Sequence, residues 1–145
     1  MRGEVLGLIP VVNVHDTPEM AAGTLQRYLA EAVWLPTALL PSQGVHWAPI
    51  DDSTARASLT DGRTIVSLEF RFSAEGEIIG AFTPSRYREV EGTYEPTPWE
   101  CRYAAYTERD GMWIPLEGEV EWHLSTHRLP YWRGRVREIT FEYAP

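Results

Sequence analysis

The feature that most constrains the fold is a repeated turn signal, an acidic residue followed by glycine. Four copies divide the C-terminal part of the chain: Asp61-Gly62, Glu75-Gly76, Glu91-Gly92 and Asp110-Gly111. Each lies between runs rich in β-branched and aromatic residues, and glycine permits the positive φ that tight hairpin turns require. Residues 45–143 are therefore predicted to form antiparallel strands. We expect a mainly β (α+β) fold: a strongly curved antiparallel meander sheet or a small β-barrel.

One strand and one helix are predicted ahead of these hairpins. Residues 4–14 are short and almost continuously apolar, which is typical of a buried strand. A helix over residues 18–35 follows, because Asp16 or Thr17 suits the N-cap and Pro18 the first helical turn. Apolar residues at helical spacing form one stripe: Leu25, Tyr28, Leu29, Ala32 and Val33. We expect this amphipathic helix to pack on the sheet within one domain of 145 residues.

Glutamates and arginines alternate along two successive runs near the C-terminus. A hairpin folded about His127 places Glu121 opposite Arg133, and Glu119 opposite Arg135. This pattern predicts a cross-strand ion-pair ladder on a solvated face, where each exposed pair contributes at most about 1 kcal/mol. The opposite face of this hairpin then carries Gly118, Val120, Trp122, Trp132, Gly134 and Val136.

Composition and charge exclude several classes of protein. All 13 basic residues are arginine, which removes lysine Schiff bases, pyridoxal phosphate attachment and the P-loop lysine. A net charge of −8 argues against a nucleic-acid partner. No apolar run reaches the roughly 20 residues that span a membrane, and the N-terminus has no signal-peptide pattern. We therefore expect a cytoplasmic protein without a membrane partner.

Motifs for cofactors, metals and known catalytic centres are absent from the sequence. The lone Cys101 excludes an intrachain disulfide and a cysteine-based zinc cluster. His123 and His127 would lie ~13 Å apart on an extended strand, too far to share one ion. We therefore predict no cofactor and no metal.

Motifs along nearly the whole chain resemble a bacterial family known as domain of unknown function 6544, in its C-terminal half. They are Arg27-Tyr28-Leu29-Ala30-Glu31, Trp34, Pro36, Trp47, Asp51-Asp52, Glu75-Gly76, Arg86-Tyr87, Pro98-Trp99, Gly111, Pro115 and Leu129-Pro130-Tyr131-Trp132-Arg133-Gly134. The resemblance implies no activity. It does imply that family members carry a further β-rich segment before the region matching residues 2–14. An apolar strand without neighbours is an association site, so we predict a homo-oligomer formed through residues 5–14.

The aromatic residues give the first hypothesis on function. Six Trp and seven Tyr are spread over the predicted helix, strands and connections. Large rings can fill a core under a helix, but a concave sheet lined by them also describes a pocket. The hypothesis is a binding domain for a small apolar or amphipathic molecule. Its predicted pocket residues are Trp47, Trp99, Tyr103, Trp122 and Trp132.

The alternative is a cofactor-free acid/base enzyme of hydrolase, lyase or isomerase type in the same cavity. Its candidate catalytic residues are His123, Asp52, Glu100, Tyr87 and Arg86. Arg86 is predicted to lie in a loop or short hairpin over the sheet, where it could clamp a carboxylate or phosphate or pair with neighbouring glutamates. A third possibility, an oligomeric structural or interaction domain, needs no pocket. An ionisable residue that faces the cavity would distinguish an enzyme from a binder.

Overall fold

The computed structural model describes residues 17–144. The predicted strand over residues 4–14, the association predicted through residues 5–14 and the alternative N-cap Asp16 lie outside the described residues. In the described part a single helical region precedes a run of strands. None of the described helices is long and apolar enough to cross a membrane.

The elements follow the chain in a simple order. The helix α1 spans Pro18–Glu31 and is followed by three short 3-10 segments, Ala32–Trp34, Pro36–Leu39 and Pro41–Gln43. The strands are β1 (His46–Pro49), β2 (Thr54–Asp61), β3 (Thr64–Phe72), β4 (Ile78–Val90), β5 (Thr93–Arg109), β6 (Met112–His123) and β7 (Arg128–Arg135). The predicted strand region thus ends at Arg135 rather than at residue 143.

The start of α1 agrees with the sequence pattern, and its end differs from it. The Thr17 side chain accepts a hydrogen bond from the Met20 N–H, and Pro18 occupies the first turn. The helix was predicted to reach Leu35, but it ends at Glu31 and tightens into 3-10 geometry. Leu35 precedes Pro36 and adopts φ −134°, because the proline ring disfavours helical geometry in the residue before it.

The strands form one antiparallel sheet in the order β1 to β7, so the predicted meander is confirmed. Within the described chain the edge strands β1 and β7 do not pair with each other, and the sheet is open rather than a closed barrel. The acidic–glycine signals do mark turns. Glu91-Gly92 and Asp110-Gly111 have positive φ at both residues, as the tightest hairpin turns require.

The helical layer covers one face of the sheet. α1 packs on β3 and β4, and the segment Ala32–Trp34 packs on β6. Alternate residues of β3 point into this layer: Val66, Leu68 and Phe70 are buried, as the period of two in a strand dictates. The outer face instead carries ion pairs such as Arg56–Glu69, with 3.2 Å between nitrogen and oxygen.

The predicted glutamate–arginine ladder exists, but its register is shifted. Glu119 opposes Arg133 and Glu117 opposes Arg135, each two residues away from the predicted pairing. The turn is centred ahead of His127, with Leu124 N–H donating to the His127 carbonyl at 2.9 Å. A shift of two residues leaves every side chain on its predicted face, so the pattern alone cannot detect it.

The segment between Phe82 and Trp99, predicted to be a loop or a short hairpin, is a hairpin. β4 and β5 continue past their neighbours and pair with each other up to the turn at Glu91-Gly92. Residues 84–98, here called the arm, lie against the helix: Gln26 Nε2 donates to the Ser85 carbonyl at 3.3 Å. The arm therefore contributes side chains to the space between helix and sheet.

Candidate functional site

A cavity of about 400 Å³ lies between the C-terminal part of α1 and strands β5–β7. Its walls are mainly aromatic: Trp34, Trp99, Tyr103, Trp122, Tyr131 and Trp132. Pockets for small molecules have this size and this apolar lining with a few polar groups. This cavity is the candidate functional site.

Strand alternation positions most of the aromatic wall. Along β5, Thr97, Trp99, Cys101 and Tyr103 are buried toward the helix, because alternate residues share one face of a strand. Trp34 comes from the opposite side, from the 3-10 segment after α1. Its indole N–H donates to the Pro115 carbonyl at 2.9 Å, which fixes the ring over the sheet.

Two facing glycines make room for the tryptophan rings. Gly118 on β6 pairs directly with Gly134 on β7. A Cβ at Gly118 would lie 3.2 Å from both the Trp34 and the Trp132 rings, and one at Gly134 would clash with Trp132. Trp34 and Trp132 meet edge to face above this glycine pair, with ring centroids 6.4 Å apart.

Two β-bulges turn further side chains into the cavity. The β4–β5 register shifts between Thr83 and Arg86, which brings Arg86 onto the face of Thr83 and Trp99. The β6–β7 register shifts between Val120 and Glu121, opposite Tyr131, so that Tyr131 and Trp132 both line the cavity. An extra residue in one strand inverts the alternation beyond it, and bulges are enriched next to functional sites for this reason.

Arg86 is the charged residue of the wall that lies against the aromatic rings. Its guanidinium carbon lies 4.7 Å from the Trp99 ring centroid and 5.4 Å from that of Trp122, within the range of cation–π attraction. Nη2 donates to the Gly23 carbonyl of α1 at 3.1 Å. Burial lowers the pKa of Arg86 from its ordinary value, because desolvation disfavours the charged form.

The other polar groups of the wall are bonded within the protein or have raised pKa values. Trp99 Nε1 donates to the Tyr131 hydroxyl at 2.8 Å, and the Tyr103 hydroxyl donates to the Ala30 carbonyl at 2.8 Å. Burial raises the pKa of Tyr103 well above its ordinary value and that of the Cys101 thiol to about 12. Neither group is an effective base or nucleophile at neutral pH.

The Cys101 environment predicts slow thiol modification. With a pKa of about 12 and 3% of its surface exposed, Cys101 should react with Ellman's reagent at pH 8 at least about 100-fold more slowly in the native than in the urea-unfolded protein. Stopped-flow absorbance measures both rates. Equal rates in the two states would show that the thiol is open to solvent and that this wall of the cavity is wrongly described.

Four of the five predicted ligand-binding residues lie together around the cavity: Trp99, Tyr103, Trp122 and Trp132. Trp47 does not belong to them. It lies on the edge strand β1, packs on Phe70 with centroids 5.5 Å apart, and donates its indole N–H to the Leu39 carbonyl at 2.8 Å. Trp34 and Tyr131 also line the cavity and were not among the predicted wall residues. The bulge at Tyr131 explains why the neighbours Tyr131 and Trp132 face the same cavity.

The predicted catalytic residues do not share a site. Arg86 lines the cavity, whereas Tyr87 is exposed on the arm and Asp52 is exposed in the turn between β1 and β2. Glu100 and His123 lie together on the outer face of the sheet. The sequence contains a signal for this placement on the outer face. Glu100 directly follows Trp99 and His123 directly follows Trp122, and neighbouring residues on a regular strand point to opposite faces.

The outer-face cluster is a network of ion pairs. His123 Nε2 lies 3.1 Å from Glu100 Oε2 and 3.2 Å from Glu121 Oε1. Arg102 donates to both oxygens of Glu121, at 3.0 and 2.9 Å, and to Glu100 at 3.2 Å.

Among the described residues, the ligand atoms of Glu100, Glu121 and His123 lie within 4.8 Å of one another and could hold a metal ion. Arg102 competes with such an ion, because it already pairs bidentately with Glu121 and donates to Glu100.

The Arg102–Glu121 pair predicts acid sensitivity. Hydrogen bonding from Arg102 holds the pKa of Glu121 below its ordinary value, so folding favours the ionised carboxylate. This stabilisation is complete above the ordinary pKa and is lost as the pH falls through the lowered one. The free energy of unfolding should therefore fall on acidification below about pH 4.5, as measured by urea titration at several pH values.

Matched variants assign this acid sensitivity to one carboxylate. Glu121→Gln should flatten the acid limb of the stability curve. Glu117→Gln, at an exposed position of the same strand with a side chain 49% exposed, should leave it almost unchanged. The same slope in Glu121→Gln and the unsubstituted protein would contradict the assignment.

The family model named "Family of unknown function (DUF6920)" matches residues 1–141. The chain belongs to this family. No curated protein sequence and no solved structure has a significant match to the chain. The family carries no assigned activity.

The family match corrects the resemblance drawn from sequence motifs. Domain of unknown function 6544, matched in its C-terminal half, is the wrong family, because the DUF6920 match covers the chain from residue 1. The motifs behind that resemblance include wall and turn residues such as Trp34, Trp99 and Gly76. These residues line the cavity or form turns, which are roles set by the architecture. The predicted association through residues 5–14 rested on that family and stays an untested prediction.

Proposed function

We propose that the chain is a small-molecule binding protein whose ligand is apolar or amphipathic and occupies the aromatic cavity. The observation that carries this proposal is the cavity itself, about 400 Å³, partly open to solvent and lined by four tryptophans and two tyrosines. Aromatic rings that only filled a core would close such a space, because protein interiors pack at crystal-like density. Here the rings of Trp34 and Trp132 pack over the glycine pair Gly118–Gly134, and the space beside them between helix and sheet stays open.

The charges around the cavity favour binding over acid/base catalysis. Of the five candidate catalytic residues only Arg86 lines it, and guanidinium is a poor general acid or base. Glu31 and Glu119 line it too, but Arg27 pairs with Glu31 at 2.6 Å, and Arg102 and Arg133 pair with Glu119. The described wall contains no histidine or aspartate. The enzyme and the interaction-domain hypotheses remain the alternatives that the experiment must distinguish.

Tryptophan fluorescence tests the proposal directly, because four of the six indoles line the cavity. We would titrate the protein with a chemically broad panel of apolar and amphipathic compounds and follow each hit by mass spectrometry. Saturable binding without conversion is the expected result. Conversion of a hit would establish the enzyme instead, and no saturable response from any compound would overturn the pocket and favour an interaction domain.

A matched pair of tryptophan variants locates the binding site. Trp132 and Trp113 are 46% and 53% exposed on neighbouring strands, but only Trp132 lines the cavity. Trp132→Ala should weaken binding of a hit by about 10-fold or more, since truncation of a contacting aromatic side chain typically removes more than 1 kcal/mol. Trp113→Ala should leave the affinity within about twofold. Equal losses in both variants would place the ligand elsewhere.

A further inference from the structure

Arg86 is a charged residue in an apolar cavity without an anionic partner. The arginines of the outer face pair with glutamates, as Arg71 and Arg102 do with Glu100. Within residues 17–144, no carboxylate oxygen lies within ion-pair distance of Arg86. Arg27 also lines the cavity but pairs with Glu31, so Arg86 carries the one uncompensated positive charge among the described wall residues.

The hydrogen bonds of Arg86 are also incomplete. Nη2 donates to the Gly23 carbonyl at 3.1 Å, and the nearby Tyr131 hydroxyl is a further hydrogen-bond partner of the guanidinium. Nε is buried and has no partner in the described chain. A guanidinium carries five N–H donors in a planar fork, so most of its capacity remains for a ligand.

A half-buried charge without an ionic partner is unfavourable, and the surroundings of Arg86 compensate it only in part. The faces of Trp99 and Trp122 attract the guanidinium. This cation–π attraction is smaller than the free-energy cost of removing an ion from water. The lowered pKa of Arg86 has the same origin. An anion in the cavity would supply the missing charge and the missing acceptors together.

We infer that the ligand is a monocarboxylate with an apolar body, its carboxylate held by Arg86 and its body by the tryptophan rings. This inference rests on the proposed function and names the class of its ligand. One uncompensated positive charge matches one negative charge. A phosphate monoester dianion would leave a surplus negative charge against aromatic walls. Arg27 and Glu31 at the cavity cancel each other through their own ion pair.

Calorimetric titration of the unsubstituted protein with matched probes tests the inference. The pairs are naphthalene-2-carboxylate with naphthalene-2-carboxamide, and decanoate with decanamide; 2-naphthyl phosphate tests the dianion. We expect the carboxylate to bind about 10- to 100-fold more tightly than its amide in at least one pair, the range for a charge-assisted hydrogen bond. The phosphate should bind more weakly than the carboxylate of the same body.

The outcomes separate the two proposals. Amides that bind as tightly as their carboxylates would overturn the role of Arg86 and leave the binding function standing. Phosphate that binds more tightly than carboxylate would overturn the choice of a monoanion. No binding by either member of any pair, together with silence of the fluorescence panel, would overturn the binding function itself.

Variants on one strand assign the preference to Arg86. Arg86→Met should remove the carboxylate-over-amide preference while amide binding persists, and Arg86→Lys should keep only part of it, because an ammonium lacks the planar fork. Arg88→Met is the matched control, since Arg88 lies two residues along β4 and does not line the cavity. An unchanged preference in Arg86→Met would overturn the inference. If that variant fails to fold, the probe pairs on the unsubstituted protein still decide.

Discussion

Leu29→Ala is expected to lower the free energy of unfolding by about 3–5 kcal/mol, as deletion of a fully buried leucine side chain usually does. Leu29 has 0% of its surface exposed and lies at the centre of the layer between α1 and the sheet. The loss combines the transfer energy of the removed methyl groups with the cavity that they leave. Urea unfolding followed by circular dichroism measures it.

Met20→Ala provides the control on the same helix. Met20 is 46% exposed, so its truncation should change the free energy of unfolding by less than about 1 kcal/mol. A loss below about 1 kcal/mol for Leu29→Ala would mean that α1 does not pack on the sheet. The cavity could then not exist as described, because α1 forms one of its walls.

Arg102→Met is expected to have the second largest effect, a loss of about 2–3 kcal/mol. It would leave Glu121, whose side chain is 7% exposed, beside Glu100 and Glu119 without the cation that links them. Breaking a buried ion pair from one side typically costs 3–5 kcal/mol. The Arg102 side chain is 40% exposed, and solvent screening reduces the expected loss accordingly.

A double-mutant cycle separates the unpaired charge from lost packing. Adding Glu121→Gln to Arg102→Met should restore part of the lost stability, because the buried charge is then removed as well. Arg133 pairs with Glu119, and its side chain is 80% exposed. Arg133→Met should therefore lower the free energy of unfolding by less than about 1 kcal/mol. A loss of the same size in Arg133→Met and Arg102→Met would show that burial of Glu121 is not the cause.

The outer-face network and the cavity lie on opposite faces of one sheet, and this separation limits how they can act together. Glu100 points outward between Trp99 and Cys101, which both face the helix. A ligand in the cavity would therefore contact neither Glu100 nor His123. The network stabilises the strands that carry the cavity wall, and its variants should change stability more than ligand affinity.

Local chemistry made much of the fold predictable. Glycine after an acidic residue marks hairpin turns such as Asp110-Gly111, because positive φ is a property of the residue itself. The helix start at Thr17 and Pro18 depends on a side-chain cap and a fixed φ within one turn of chain. The alternation along β5 likewise predicts that Trp99 and Tyr103 face the same side.

The register of the strands was not predictable from the same pattern. The glutamate–arginine ladder retains its face when it slips by two residues, so Glu119 pairs with Arg133 instead of Arg135. The choice between such registers depends on the turn at residues 124–127 and on the packing of the whole hairpin. Trp47 shows the same limit, because its place on the edge strand depends on the order of the strands.

The sequence by itself determined the meander, its turns, the helix start and the faces of the regular strands, since each follows from residues that are neighbours along the chain. Only the tertiary structure decided that Arg86 and Tyr131 enter the cavity. Both arrive through β-bulges, where one extra residue inverts the alternation. A bulge forms where strand pairing on either side of it and packing against the helix stabilise the fold by more than the unpaired residue costs. That balance depends on contacts between residues distant in the sequence, which no local pattern records.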